Sequence, residues 1–211
     1  MVIVGLGDST TAGAPAFESP REAPPDGIGD PRSQYAYRLM QRHPEWRVLN
    51  RGVSGERTDQ ILKRFDADVV TSHPQIVIIL AGVNDLYQGS SAERVTEHLR
   101  RLYERARQHG IDVLACTILP YNGSGVRVQA RMAEVNGWIR DYARAHSLEL
   151  CDLFPVMEDP EHPGGLRETA DGIHPDVDGY RRMGDAIADT LEARFAQTQS
   201  PRPGTPASFQ Q

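Results

Sequence analysis

The chain has 211 residues, of which 39% are apolar and 25% charged, and its formal net charge is −6. This length suits one α/β domain with a full apolar core, which we place at residues 1–196. The negative charge argues against nucleic acid or an anionic membrane surface as the main partner. No apolar run is long enough to span a bilayer, so we expect no membrane insertion.

The cysteines and the N-terminus bear on the compartment. Cys116 and Cys151 lie in apolar runs typical of strands, and we expect buried thiols rather than a disulfide framework. Such thiols fit a reducing compartment. The N-terminus has no basic region, and Asp8 interrupts the first apolar run early, so no signal peptide is visible. We therefore expect a cytoplasmic location.

Apolar runs and helical periodicities alternate along the chain. The predicted strands are residues 2–6, 47–53, 75–81, 111–119 and 148–154. The predicted helices are residues 33–43, 59–71, 91–109, 126–146 and 176 to about 196. Five strands that alternate with helices predict a three-layer α/β/α architecture with a five-stranded parallel sheet and right-handed crossovers.

Three segments lack this periodicity. Residues 14–32 are rich in Pro and Gly and leave the sheet just after Ser9, so we expect them to form a lid or rim over a site. A second irregular loop, residues 155–170, precedes the last helix. Residues 197–211 are rich in Pro and poor in apolar residues, which predicts a disordered tail.

Polar residues stand at several strand ends, where the core pattern does not require them. Three strands end in Gly7-Asp8-Ser9, Gly52 and Gly82-Val83-Asn84-Asp85, and the last helix is preceded by Asp171-Gly172-Ile173-His174. Because function collects at the carboxyl ends of parallel strands, we expect these segments to meet at one edge of the sheet.

These residues are the types that nucleophilic catalysis by a serine requires. The reaction needs a hydroxyl, a base, a group that orients the base, and donors for the oxyanion. Ser9 would supply the hydroxyl and His174 the base, since histidine titrates near neutral pH. Asp171, three residues before His174, is close enough in a tight turn to accept the Nδ1 proton. Gly52, through its N–H, and Asn84, through its amide, are the candidate oxyanion donors.

In these four blocks the chain resembles the SGNH (GDSL-type) hydrolase family of esterases and lipases, over about residues 1–196. The resemblance implies a flavodoxin-like fold and a nucleophile at Ser9, whose own N–H would join the oxyanion hole. It also implies that Gly52 and Asn84 complete this hole and that Asp171 orients His174. Thr10 stands where leucine gives the GDSL string its last letter. The G-x-S-x-G elbow of α/β-hydrolases is absent.

Other residues do not point to further chemistry. We expect Asp8 and Asp85 to be structural, through hydrogen bonds to loop backbone. Gly5-Leu6-Gly7 lacks the spacing of a phosphate-binding loop, and the cysteines form no metal pattern. We expect no cofactor and no metal. The remaining histidines have no partner spacing and are interpreted as surface residues or helix ends: His43, His73, His98, His109, His146 and His162.

The sequence thus predicts a serine esterase that acts on a small-molecule ester through an acyl-enzyme on Ser9. The resemblance implies esters of short acyl groups, including acetylated sugars, and short chains such as acetyl are favoured because no long apolar groove is evident. Thioesterase or lysophospholipase activity on the same triad is an alternative. A catalytically silent domain that binds a glycan or a small ester is another, although the intact set of site residues argues against it. The sequence leaves a homo-oligomer open.

Overall fold

The computed structural model describes residues 1–18, 27–169 and 171–199. Its strands are β1 (Val2–Gly7), β2 (Phe17–Glu18), β3 (Ile28–Gly29), β4 (Arg47–Gly52), β5 (Ile76–Leu80), β6 (Asp112–Cys116) and β7 (Glu149–Cys151). Its α-helices are α1 (Ser9–Ala12), α2 (Tyr35–Arg42), α3 (Thr58–Lys63), α4 (Phe65–Asp68), α5 (Val83–Tyr87), α6 (Ala92–Gln108), α7 (Val126–His146), α8 (Leu153–Met157) and α9 (Val177–Gln199). Single 3₁₀ turns occupy Pro31–Ser33 and Val70–Ser72.

Five of these strands form one parallel sheet in the order β4-β1-β5-β6-β7. The chain moves outward from β1 to β4, crosses back to β5 and then continues in the other direction. This is the flavodoxin-like order, and its reversal point lies at the carboxyl end of β1, where open α/β sheets bind ligands. The predicted five-stranded parallel sheet is confirmed.

Helices cover both faces of the sheet, because alternate strand residues point to opposite sides. Val4 and Leu6 of β1 belong to an apolar core with α3 to α7, whereas Ile3 belongs to a second core with α2, α8 and α9. Gly5 leaves room in this second layer for Tyr35, since a Cβ there would lie 2.4 Å from the tyrosine hydroxyl oxygen. The predicted three-layer architecture is therefore confirmed.

The predicted helix 59–71 is interrupted in the structure. It divides into α3, α4 and a 3₁₀ turn, and Arg64 at the first break has φ −97° and ψ 3°. The Arg64 side chain points inward from this break to main-chain oxygens at the ends of β1 and β4. Tertiary hydrogen bonds from the arginine to these two strand carbonyls thus accompany the break in the helix.

Other boundaries also differ from the prediction. The last strand is shorter than residues 148–154, because α8 begins at Leu153. Ser33 does not cap α2: Gln34 occupies the cap position, and the Ser33 hydroxyl donates to the carbonyls of Gly13 and Asp30. Helix α9 continues to Gln199, three residues into the segment predicted as a tail.

Part of the predicted lid and tail lies outside the described residues. Strands β2 and β3 pair as a small antiparallel ribbon within the 14–32 segment, whereas its residues 19–26 are not among those described. The same holds for residues 200–211 of the predicted tail. The lid and the remainder of the tail stay predictions.

The two cysteines are free and buried, as predicted. Cys116 on β6 and Cys151 on β7 are partners in the parallel register. Within residues 1–18, 27–169 and 171–199, no helix has the length and apolar character to cross a membrane.

Candidate active site

Ser9 stands at the sharp turn where β1 passes into α1. Asp8 caps this helix, and its Oδ1 accepts a hydrogen bond of 3.1 Å from the N–H of Thr10. The turn is tightly enclosed, since a Cβ on Gly7 would lie 2.3 Å from the carbonyl oxygen of Leu80. As the first helical residue, Ser9 has an N–H that needs no partner within the helix. The turn therefore presents both the hydroxyl and this N–H at the carboxyl edge of the sheet.

The imidazole of His174 bridges the serine and an acidic residue. Its Nε2 lies 2.8 Å from Ser9 Oγ, and its Nδ1 lies 2.8 Å from Asp171 Oδ2. In the arrangement that satisfies both contacts, Nδ1–H donates to the carboxylate and the serine hydroxyl donates to Nε2. The structure thus brings together three residues that the sequence singled out.

Asp171 is held as a carboxylate. Its Oδ1 accepts the main-chain N–H groups of Ile173 at 2.8 Å and His174 at 2.7 Å. Burial opposes its ionisation, but the hydrogen bonds from the His174 ring and from these two N–H groups outweigh burial and lower the pKa of Asp171 to about 2. The acidic partner of the imidazole is therefore charged throughout the neutral and mildly acidic range.

Asn84 lies in the first turn of α5. One of its Nδ2 hydrogens donates to the main-chain carbonyl of Glu56 at 3.0 Å, which leaves a second hydrogen on the same nitrogen. Asn84 and Ser9 line the same cleft. An amide fixed in this way can donate to a developing oxyanion without first reorganising.

Gly52 does not lie where the sequence interpretation placed it. Its N–H donates to Asn50 Oδ1 at 2.8 Å, and a Cβ at this position would lie 2.1 Å from the main-chain nitrogen of Ala12. Gly52 is the last residue of β4 and is buried against α1, away from the cleft. Its N–H is therefore unavailable to a substrate, and the assignment of Gly52 to the oxyanion hole is wrong.

Gly55, in contrast to Gly52, lines the cleft. It lies three residues further on, in the turn after β4, and lines the cleft beside Ser9 and Asn84. Its φ is +79°, a backbone conformation that favours glycine, and a Cβ added to Gly55 would have no atom within 4 Å. In the described part of the chain, the Gly55 N–H donates to no other residue. The sequence signal was present in Ser54-Gly55-Glu56, since a glycine beyond a strand end is freer to expose its N–H than one within the strand.

Buried polar contacts fix the turn that carries Gly55. Thr58, just after the turn, donates from its N–H to Asp85 Oδ2 and from its hydroxyl to Asp85 Oδ1, both at 2.8 Å. The carboxylate of Asp85, on the neighbouring helix α5, thereby accepts an N–H group in the first turn of α3 that has no partner within that helix. The predicted structural roles of Asp8 and Asp85, as acceptors for loop backbone, are confirmed.

Asp8 lies in the cleft wall with only 1% of its surface exposed. Burial raises its pKa to about 6, and the nearby Asp85 carboxylate adds to this, whereas the Thr10 N–H and the charge of His174 oppose it. The two carboxyl groups near His174 are thus shifted in opposite directions, because Asp171 has more hydrogen-bond donors and is less buried.

The cleft above Ser9 has a volume of about 390 Å³. Its walls are predominantly apolar, and Tyr87 and Ile173 at its mouth are 72% and 50% exposed. The rings of Tyr87 and Tyr121 meet edge to face, with centroids 6.4 Å apart. The apolar lining residues are Ala14, Leu80, Ala81, Val83, Tyr87, Ile118, Leu119, Pro120, Tyr121 and Ile173. No group of three or more His, Cys, Asp or Glu residues in the described ranges could hold a metal ion.

Comparisons with known proteins identify the family of the chain. Residues 6–182 match the GDSL-like Lipase/Acylhydrolase family, which confirms the resemblance seen in the four sequence blocks. The chain is 28% identical to Esterase TesA of Pseudomonas aeruginosa over 158 residues, which are 74% of each chain. It is 29% identical over 127 residues to the uncharacterized lipoprotein YqeF of Bacillus subtilis, covering 54% of this chain and 52% of that one.

Solved structures share the fold. A G-D-S-L family protein from Desulfitobacterium hafniense superimposes with a TM-score of 0.73 at 27% identity, covering 90% of this chain and 99% of that one. An acetylxylan esterase from Geobacillus stearothermophilus, solved as a catalytic mutant, superimposes with a TM-score of 0.73 at 19% identity, covering 90% and 93%.

Proposed function

Since the chain belongs to the GDSL-like lipase/acylhydrolase family and is a carboxylic ester hydrolase, we propose that it is a serine esterase that cleaves short acyl esters through an acyl-enzyme on Ser9. The observation that carries this proposal is the pair of 2.8 Å contacts from His174 to Ser9 and to Asp171 at the floor of the cleft. A hydroxyl, a base and an orienting carboxylate in this order are the parts that nucleophilic catalysis requires.

In the proposed reaction, Ser9 Oγ attacks the ester carbonyl carbon while His174 Nε2 takes its proton. The carbonyl oxygen becomes an oxyanion, which the N–H groups of Ser9 and Gly55 and the Asn84 amide stabilise. The imidazolium then protonates the departing alcohol, and an acyl group remains on Ser9. Water, activated by the same imidazole, hydrolyses this acyl-enzyme and restores the serine. Asp171 holds the ring and stabilises its positive charge throughout.

The cleft supports a small, apolar acyl group. Its volume of about 390 Å³ is near the lower end of the roughly 300–1,000 Å³ that small-molecule sites occupy. The cleft must hold the ester and part of the alcohol as well as the acyl chain. The acyl chain would lie against the apolar walls, whereas a charged acyl group would lose its hydration there without gaining a partner.

A second cavity beside the cleft supports an alcohol that carries hydroxyl groups, because its walls are more polar than those of the cleft. It has a volume of about 380 Å³ and shares Tyr121 with the catalytic cleft. Asn122, Gln129 and His162 line it with hydrogen-bonding groups, and Asp159 Oδ2 lies 2.8 Å from His162 Nδ1. We infer that the alcohol half of the ester extends past Tyr121 into this cavity, and that acetylated sugars are the substrates that fit both halves.

Hydrolysis of a p-nitrophenyl acyl series by the wild-type protein and its Ser9→Ala variant tests the proposal. We expect turnover that is fastest at two to four carbons and lost in the variant, together with one fluorophosphonate adduct that maps to Ser9. Ser54→Ala is the matched control, since it removes another cleft hydroxyl outside the triad and should keep the adduct. An acetylated disaccharide measured beside p-nitrophenyl acetate tests the alcohol half.

Other outcomes favour the alternatives. A maximum at long acyl chains, or faster cleavage of the matching thioesters, would replace the short-chain ester by a lysophospholipid or a thioester. Folded protein that forms no adduct and turns over no substrate would favour a silent domain that binds a glycan or small ester. The cytoplasmic location and the homo-oligomer stay predictions, which cell fractionation and light scattering check.

A further inference from the structure

Arg64, whose side chain is largely buried, connects the strand that leads to Ser9 with the turn that carries Gly55. Arg64 Nη2 donates to the carbonyl of Gly7 at 2.9 Å, two residues before Ser9. Arg64 Nε donates to Glu56 Oε2 at 2.6 Å, and Glu56 directly follows Gly55 in the turn. A single planar guanidinium thus contacts both halves of the proposed site.

The same side chain is fixed from the opposite side. Arg64 Nη1 donates to the carbonyl of Arg51 near the end of β4 at 2.8 Å and to Asp68 Oδ2 at 2.6 Å. The side chains of Arg64 and Asp68 are only 12% and 3% exposed. Because an arginine presents several donors in a fixed plane, it can hold these acceptors at set distances, which the single ammonium of a lysine cannot do.

Glu56 passes this constraint to a second donor. Its side chain receives Arg64, and its main-chain carbonyl accepts the Asn84 amide at 3.0 Å. Displacement of Glu56 would therefore move Gly55 and release Asn84 together. Catalysis is sensitive to such movement, since a displacement of about 1 Å can reduce the rate on the order of 10²-fold.

We propose that Arg64 and Glu56 are positioning residues that set the oxyanion donors of the Gly55 turn and Asn84 against Ser9. The proposal rests on the proposed serine esterase mechanism. Neither residue lines the cleft, so neither contacts the substrate. Their effect is on the transition state, where donor distances matter most, rather than on binding of the ground-state ester.

Steady-state kinetics of Glu56→Ala, Glu56→Gln, Arg64→Lys and the double variant Glu56→Ala/Arg64→Lys test this proposal. We expect kcat to fall about tenfold in Glu56→Ala and about 10–100-fold in Arg64→Lys, with KM within about twofold of wild type. Glu56→Gln should recover part of the loss, because its amide oxygen can still accept from Arg64. The double variant should be no slower than Arg64→Lys alone, because both changes disrupt one connection.

Arg194→Gln is the control for loss of an arginine pair elsewhere. Arg194 is 18% exposed and pairs with Asp112 at the first residue of β6, at the opposite edge of the sheet. Thermal unfolding and fluorophosphonate titration give the folded, active fraction of each variant, so that kcat refers to native enzyme. We expect kcat of Arg194→Gln to equal that of wild type.

Three results would overturn the proposal: native Glu56→Ala with the kcat of wild type, losses in KM rather than kcat, or losses that multiply in the double variant. Glu56→Ala keeps all the other Arg64 contacts, so it remains informative if Arg64→Lys does not fold. Ser9→Ala in the same series separates the two levels of inference. If Ser9→Ala keeps its activity, the serine mechanism and this proposal are both contradicted. If Ser9→Ala loses its activity while Glu56→Ala keeps the kcat of wild type, only the positioning role is contradicted.

Discussion

The two sides of Ser9 are built in different ways. On the base side, the contacts that fix Asp171 against His174 join residues only three positions apart. On the oxyanion side, Asn84 contacts Glu56 across 28 positions, and Arg64 contacts Gly7 across 57. The contacts between Asp171 and His174 thus form within one short loop, whereas the contacts that fix the oxyanion side form only after the sheet and its helices have assembled.

The base side is expected to give the larger loss when its acidic member is changed. In Asp171→Asn, the amide would donate to the ring and place the imidazole proton on Nε2, where it blocks transfer from Ser9. We expect kcat to fall about 10³–10⁴-fold with little change in KM, measured on p-nitrophenyl acetate. Asp178→Asn, an exposed carboxylate of α9, is the control. A loss below about tenfold would show that Asp171 does not orient the base.

The pH dependence follows from the lowered pKa of Asp171, about 2. A depressed carboxyl pKa contributes stability above the ordinary value near 4, and this contribution is lost as the pH falls through about 2. Asp171 therefore stays charged from pH 4 to 8 and does not itself lower the activity in this range, whereas a mechanism whose base is an imidazole is expected to lose activity toward acid pH. A rate that is flat from pH 5 to 8 would contradict His174 as the base.

The oxyanion side is expected to give an intermediate loss. Asn84→Ala removes one donor and also the tether to Glu56, so we expect kcat to fall about 10²–10³-fold. Asn84→Asp keeps the shape of the side chain but places a negative charge near the oxyanion. The fall in kcat of this variant should therefore be at least as large as that of Asn84→Ala. Gln88→Ala, at the end of the same helix, should retain full activity. Equal rates in Asn84→Ala and Gln88→Ala would remove Asn84 from the proposed hole.

Alanine substitutions of Gly55 and Gly52 are expected to have the smallest effect on kcat. They should also differ clearly from each other, since one changes mainly kcat and the other mainly stability. Gly55→Ala meets open space but has a φ of +79°, so we expect about a tenfold loss of kcat and a small loss of stability. Gly52→Ala drives a Cβ into the backbone of Ala12, so we expect a loss of about 1–3 kcal/mol of stability or more. Chemical denaturation and kcat of both variants check this. Reversed effects would restore Gly52 to the site.

This contrast also explains which parts of the molecule the sequence predicted. The apolar runs and periodicities identified the five strands and the long helices, because core burial imposes them directly. Ser9, Asn84, Asp171 and His174 could be selected because the proposed chemistry requires side chains of these types. Gly55 could not be separated from Gly52 by residue type, since the donor is a backbone N–H and its freedom depends on what packs around it. The proposed role of Arg64 was hidden for the same reason, because two of its four acceptors are main-chain carbonyls distant in sequence, those of Arg51 and Gly7.

The opposite shifts of Asp8 and Asp171 have a further consequence. Asp8 has a folded-state pKa of about 6 against 3.8 for an unperturbed carboxyl, so the folded protein binds this proton more tightly than the unfolded chain does. Its contribution to stability is complete below about pH 4 and is lost as the pH rises through about 6. Catalysis needs the opposite direction, since His174 must be neutral to act as a base. For Asp8 the contribution to folding is therefore largest at a pH below the one at which the base is active. The buried carboxyl beside the nucleophile thus represents a local trade-off between stability and activity.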